Sequence, residues 1–485
     1  MSTTAEVATT RSLFAGIESR SIDYVPAGER HGNVMDQMKF WFLGNFNFGT
    51  IAIGFIGPGM GLGMWWTILA EALGIVIGTI FQAFHASQGA ELGLPQMVQS
   101  RAQFGYRGVV VPLVASAFTY VGFNILNAIL LADGLFSLIG WNRAAVAVTV
   151  SVLGAALAIW GHDWLHRVFK LLFWAAVPLF TVLTLAIVLG APAGSGHPIA
   201  GGFDAVAFFT VLAAGASYNI TYAIYVSDYT RYLPSSTGRT PIIATVFTGS
   251  SLSAIWLIGV GAWLATQFGP SDALLDLTRA GNQVLWGFGY VLAAVSVVTL
   301  VASMGMNAYS GMLTVVTAID AFRPVRPTRR LRVAGVVVLA VVWCTFAVAF
   351  GGRVIDALND YFVVMLYLLV PWTAINLTDY FFVRRGHYAV TDLFTPHGIY
   401  GAWRLQGLLA YGIGFGASLP FCVLPGVFVG PAAVALGGVD IGWLVGLAVT
   451  APMYLLLMRG FDPACEAAAV AASSVVLEEK EAVLF

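Results

Sequence analysis

The sequence predicts an all-α protein that crosses a lipid bilayer as twelve helices. Three observations predict it: a composition too apolar for a water-clad domain, apolar runs of bilayer length, and a one-sided distribution of arginine and lysine. Of 485 residues, 59% are hydrophobic and 10% charged, which leaves too little polar surface to clothe a soluble fold of this size. A helix needs about 20 mainly apolar residues to cross the hydrocarbon core. Runs of that length recur from Lys39 to Arg459 with short polar interruptions.

The spans are expected near 39–60, 64–86, 109–133, 143–160, 168–190, 205–226, 240–266, 284–318, 333–351, 361–383, 405–429 and 438–458. With the amino terminus inside, every one of the 23 lysines and arginines except Arg143, Arg279 and Arg353 falls on the cytoplasmic side. That is the positive-inside asymmetry of a cell-membrane protein with both termini cytoplasmic. One missed or invented helix would invert all later loops, so the even count and the alternation support each other. The chain then divides into a cytoplasmic tail at 1–38, ten spans at 39–383, a cytoplasmic loop at 384–404, two further spans at 405–458 and a tail at 459–485. The first segment holds no apolar run and reads as a cytosolic tail, not a cleaved signal peptide. No loop exceeds roughly twenty residues, so no soluble catalytic domain fits. Cys344, Cys422 and Cys465 are scattered without disulfide or metal-cage spacing. Lipid and a small solute are the expected partners, with no nucleic acid; the oligomeric state is not legible.

Two spans carry features that a plain membrane helix lacks. In the first, Gly54, Gly57, Pro58, Gly59, Gly61 and Gly63 cluster at or beyond its middle. Pro58 has no amide proton, and irregular backbone at membrane depth must face protein or a water-filled cavity. Discontinuous helices of this kind build solute and ion sites in transporters, and Gly54 and Phe55 are accordingly solute-binding candidates. The alternative is that Gly57 to Gly63 form the exterior turn into the second span. The run is no dinucleotide loop, because it lacks a complete GxGxxG and follows no strand. The sixth span places Ser217, Tyr218, Asn219, Thr221 and Tyr222 in mid-membrane. Two such helices five spans apart point to an inverted repeat around a midplane site. The polar cluster can equally be interhelical glue.

Other polar residues fall on single helix faces. Tyr120, Asn124 and Asn127 project together from the third span, offering a ring to stack on and amides that both donate and accept. Ser303, Asn307, Ser310, Thr314 and Thr317 form a stripe down the eighth span, which either lines a pathway or packs closely. Glu71 lies in the second span on the face of Gly74 and Gly78, where a carboxylate must be protonated, paired or part of a proton relay. Asp133 sits at an outer helix end, where hydration competes with a functional role. Asp228 is expected to pair with Arg231 at an inner helix end, as a gate or anchor. His162 and His166 have metal-ligand spacing but no further ligands nearby, so no metal is expected. No nucleophile constellation supports catalysis by an intramembrane enzyme, and few pore-lining charges argue against a channel.

The stretches ERHG at 29–32, GLPQMVQSRAQFGYRG at 93–108, GFNILNA at 122–128, SDYTRYLP at 227–234 and NLTDYFFVRRGHYAVTDLF at 376–394 resemble the purine–cytosine permease family of nucleobase–cation symporters, most of all its fungal type. The resemblance implies a leucine-transporter-like core, with spans one to five and six to ten as inverted repeats, two peripheral helices and alternating access. It implies a nucleobase bound between spans one, three, six and eight, with Tyr120 as stacking ring, Asn124 as edge-reading amide and Asn307 as the span-eight asparagine. The second ring, usually a tryptophan, falls at Asn219, so Tyr218 or Tyr222 would close the sandwich. Sodium-dependent relatives carry hydroxyls where this chain has Val301 and Ala302. With Glu71, this favours a co-transported proton over sodium, while Thr299 and Ser303 keep sodium open. The other reading is a sodium-coupled carrier of allantoin, a hydantoin, pyridoxine or thiamine. No cofactor is expected.

Overall fold

In a bilayer each backbone N–H and C=O must find its partner within the chain, so long apolar runs close into helices. The structure, a computed structural model, describes residue 18 and residues 20–192, 199–350, 354–424 and 426–484. Arg11, Arg353 and nearly half of the expected 1–38 tail lie outside these residues. In chain order the helices are α1 (Val34–Asn45), α2 (Phe48–Ile53), α3 (Ile56–Gly59), α4 (Met64–Leu92), α5 (Gln96–Gln99), α6 (Arg101–Phe104), α7 (Val110–Ile139), α8 (Arg143–Trp160), α9 (His162–Val188) and α10 (Ala205–Ile220). They continue with α11 (Val226–Thr230), α12 (Arg239–Phe268), α13 (Ala273–Val284), α14 (Phe288–Asp320), α15 (Arg329–Ala349), α16 (Val354–Thr378), α17 (Leu405–Ser418), α18 (Pro431–Ala435), α19 (Gly442–Leu457) and α20 (Ala464–Leu484). Among the described residues, nine helices are long and apolar enough to cross a membrane, or ten where α1 with α2–α3, bent by 51°, is counted as one span. The chain is a multi-pass membrane protein. The expected spans 405–429 and 438–458 hold α17 of 14 residues and α19 of 16, both short of the about 20 that a straight crossing needs.

Leu171, Leu185 and Val188 on α9 and Val338 and Val341 on α15 stand outward as a lipid-facing surface. Trp65, Trp141 and Trp286 are exposed at helix ends, the level at which an aromatic belt meets the headgroups. Inside, α10 is sheathed by its neighbours and packs most intimately on α4. A Cβ at Gly74 or Gly78 would collide with the α10 backbone at Leu212 and Ala216, so these two glycines permit the backbones to touch. Small residues play this part wherever membrane helices approach closely. Two further helices stand where loop and tail are expected. In α13 the Asp272 side chain caps the first turn, accepting from the amides of Leu274 and Leu275 at 3.1 and 3.0 Å. In α20 Glu466 accepts from Arg384 at 2.8 and 3.0 Å.

The first span breaks earlier than its glycines suggest. Its bend falls between Asn45 and Phe48, about ten residues before the Gly57–Gly63 cluster. Side chains take over the bonding that the interrupted helix gives up: Asn47 Nδ2 donates to the Gly44 carbonyl at 3.1 Å, and the Thr50 hydroxyl to the Asn45 carbonyl at 2.5 Å. Pro58 lies in the first turn of α3, where no amide proton is needed. Met60 to Gly63 form the turn into α4, with Gly61 at φ +81° and the Gly63 amide donating to Gly202 O at 2.9 Å. The sixth span is also interrupted: α10 passes into a 3-10 turn at Thr221–Ile224 before α11 resumes.

Candidate functional site

The two interruptions meet around a cavity of about 30 Å³, on the scale of one or two waters. It is lined by Asn47, Gly49 and Ile53 of α2, Phe123, Leu126, Asn127 and Leu130 of α7, and Tyr218 and Tyr222 of the sixth span. Leu300, Ser303 and Asn307 of α14 and Phe362 of α16 complete the wall. Every polar lining side chain is neutral.

Of the residues named from sequence, Asn127, Tyr218, Tyr222, Ser303 and Asn307 line the cavity. The Tyr218 hydroxyl meets Thr50 Oγ1 at 2.7 Å, and Tyr222 donates to the Gly44 carbonyl at 3.1 Å, so both rings are tied to the bend of the first span. Asn124 stands behind Asn307. Its Nδ2 donates to the Met304 carbonyl at 3.1 Å, and its Oδ1 accepts from Asn307 Nδ2 at 2.9 Å. Asn307 Oδ1 in turn accepts from the Tyr225 hydroxyl at 2.9 Å. A carbonyl can only accept, so Met304 sets the direction of the whole chain and with it the orientation of both amides. Tyr120 donates to Ile224 O at 2.9 Å and packs edge-on to Tyr225, with centroids 4.5 Å apart.

Other candidates lie elsewhere. Asn219 faces α1 and α4, donating to Thr79 Oγ1 at 2.6 Å and accepting from Asn45 Nδ2 at 3.0 Å. Gly54 abuts the α12 backbone near Ile258 and Ala262, Phe55 is fully buried, and neither lines the cavity. Glu71 is fully buried on α4 with no hydrogen-bond partner for either oxygen among the described residues. It presses on α10, where a Cβ at Gly215 would come within 2.6 Å of its carboxyl. Sequence reasoning missed Asn47, Thr50, Phe123, Tyr225 and Phe362. Tyr225 had a usable signal, since 218, 222 and 225 share a helix face. Asp133 pairs with Arg143 at 2.6 Å on the surface. His162 and His166 belong to the start of α9, and among the described residues no three His, Cys, Asp or Glu side chains group as metal ligands.

The family described as "Permease for cytosine/purines, uracil, thiamine, allantoin" matches residues 24–446. The chain belongs to this family. Among similar proteins, the putative purine-cytosine permease YxlA of Bacillus subtilis is 34% identical over 91% of this chain and 96% of its own length. The purine-cytosine permease fcyB of Emericella nidulans is 26% identical over 92% of this chain and 89% of its own. Among solved structures, Mhp1, a nucleobase-cation-symport-1 family transporter in a closed conformation with bromovinylhydantoin bound, superposes with a TM-score of 0.71. That match has 19% identity and covers 91% of this chain and 95% of Mhp1, a likeness of fold.

This permease buries its charges at the face that carries its amino-terminal segment. Glu18 accepts from the His162 amide at 2.9 Å, from the Tyr309 hydroxyl at 3.0 Å and from Tyr232. It also pairs with Arg231 at 3.4 Å and Arg332 at 3.3 Å. Burial by itself would raise the Glu18 carboxyl, but Arg332 and Arg231 outweigh it and hold the group below its ordinary 4.5. The expected Asp228–Arg231 pair is therefore corrected: Arg231 turns to Glu18. Asp228 instead accepts from the Gln96 amide at 3.0 Å, an N–H that the start of α5 leaves without an intrahelical partner. Nearby, Asp379 accepts from Arg384, Gln103, Tyr388 and Tyr454 at 2.5, 2.6, 2.7 and 2.9 Å.

Proposed function

We propose that this permease is a secondary active importer of a nucleobase, such as cytosine or a purine, driven by symport of a proton through alternating access. The observation that carries this reading is the neutral cavity of amides and tyrosines at the junction of the two interrupted spans with α7 and α14. A nucleobase is flat, uncharged and edged with donors and acceptors, so rings to stack on and amides to pair with are the groups it requires. Tyr218, Tyr222 and Asn307 contact the solute, and Tyr120, Asn124 and Asn219 support them from behind. Phe55 and Gly54 act through the packing of the first span.

The permease sits in the cell membrane with both termini cytoplasmic, so the Glu18 face looks inward. Spans one to five and six to ten form the inverted repeats over 39–190 and 205–383, and α17 and α19 count as the peripheral eleventh and twelfth. Two observations favour the proton. Val301 and Ala302 offer no hydroxyl to sodium, and Glu71 is a buried carboxyl, without a partner among the described residues, beside the α10 segment that leads to Tyr218. An unpaired carboxylate at membrane depth is costly, whereas its acid is not, which is the property a proton carrier needs. The family's description also spans thiamine and allantoin, so these are the alternative solutes.

Uptake of labelled cytosine, adenine, hypoxanthine, uracil and allantoin into proteoliposomes, under an imposed proton or sodium gradient, tests the reading. Accumulation of a base driven by protons is expected, and Glu71→Gln should abolish the proton drive while leaving the protein folded. Drive by sodium alone would overturn the coupling, and accumulation of allantoin alone would overturn the solute class.

A further inference from the structure

Buried polar groups in folded proteins have partners, and one without a partner asks for an explanation. Six polar side chains line the cavity. Asn47, Tyr218, Tyr222, Ser303 and Asn307 each make a hydrogen bond within the protein. Asn127 makes none among the described residues, although it is more than nine-tenths buried and faces the cavity. It sits one turn beyond Asn124 on α7, yet the two amides are in opposite situations. Asn124 commits one N–H to the Met304 carbonyl and one lone pair to Asn307, and it does not line the cavity. Asn127 keeps both its donor and its acceptor capacity in reserve.

The geometry points to Asn127 as the amide of α7 that pairs directly with the solute, with Asn124 acting behind it as a positioning residue that holds Asn307. This inference rests on the nucleobase reading above. A carboxamide with both functions free pairs best with a ring edge carrying a donor and an acceptor on adjacent atoms, as cytosine, adenine and hypoxanthine do. Asn307 retains one N–H and one lone pair after its bonds to Asn124 and Tyr225, so it reads a second point of the same solute. The ring is then held between two amides on α7 and α14, helices that must part to release it.

The test compares Asn127→Leu with Asn124→Leu and the unaltered protein in proteoliposomes, measuring uptake of a base and of its ring-methylated analogue, which cannot make the bond. Asn127→Leu removes no hydrogen-bond partner from any other side chain among the described residues. It should leave the unfolding temperature in detergent unchanged or higher, raise KM for the parent base tenfold or more, and close the gap between parent and analogue. Asn124→Leu should lower the unfolding temperature, because Met304 and Asn307 lose their partner. An unchanged KM in Asn127→Leu, or a lowered unfolding temperature, overturns the assignment, the second by showing a structural role. An unaltered protein that accumulates none of the bases overturns the functional reading and takes this inference with it; accumulation equal in the unaltered protein and Asn127→Leu removes this inference alone.

Discussion

Around the cavity the polar side chains that the helices bring together are neutral, whereas at the amino-terminal face Glu18, Arg231, Arg332, Asp379 and Arg384 are buried as charges. On the proposed reading the cavity serves exchange: its amides and hydroxyls can trade a protein partner for a solute at modest cost, since a neutral hydrogen bond is worth about 1 kcal/mol net. The charged face is built for closure. Glu18 gathers donors from α9, α14, α15 and the turn after α11, and Asp379 from α6, α19 and the segment after α16, and a buried charge deprived of its partner is far more costly than an amide in the same position. One protein thus places neutral, weaker contacts around its central cavity and charged, stronger ones where several helices meet at the amino-terminal face.

The largest expected effect breaks the charged side. Glu18→Ala leaves Arg231 and Arg332 buried beside each other without their carboxylate, which should cost about 3–5 kcal/mol of stability in the closed arrangement. Thermal unfolding in detergent and accessibility of the amino-terminal face to thiol reagents would register it. The same contact has a pH signature. Because the folded Glu18 carboxyl titrates below its unfolded value of 4.5, its stabilisation is complete above that value and is lost as the pH falls through the lower folded one. Glu18→Gln should erase that acid-limb dependence, and a variant that keeps it would place the titrating group elsewhere. A smaller effect is expected at Asp379→Asn. There Arg384 keeps its bonds to Glu466, so weakening by about 2–3 kcal/mol should appear as a lowered unfolding temperature. The smallest belongs to Arg143→Gln, whose partner Asp133 is on the surface; a change of about 1 kcal/mol or less sharpens the contrast by showing what an exposed pair contributes.

The spans were legible because the signal that marks them is local. A bilayer demands an apolar run of fixed length, and the long helices from α4 to α16 answer to runs visible in the chain. The site was legible in part. Tyr218, Tyr222 and Asn307 reach the cavity, as polar residues in apolar helices suggest, but Asn219, one residue along, faces α4 instead. A single step rotates a helix position by roughly 100°, and which face looks inward depends on the neighbours. The bend of the first span was misjudged for a related reason. Gly57–Gly63 has the composition of a break, yet the backbone gives way at Phe46–Asn47, where Asn47 and Thr50 can satisfy the freed carbonyls and Ser303 and Tyr218 can meet them.

By itself, then, the sequence determined that the chain lives in a membrane, where most of its long helices run and which polar residues they carry into the bilayer, because length, periodicity and composition are properties of neighbours along the chain. Only the tertiary structure decided that Arg231 meets Glu18 and not Asp228, that Asn127 lines the cavity while Asn124 bonds to Asn307 behind it, and that Glu71 has no partner among the described residues where it meets Gly215. Each of those outcomes depends on a partner dozens to hundreds of residues away, and a hydrogen bond is decided by the atom that arrives opposite it.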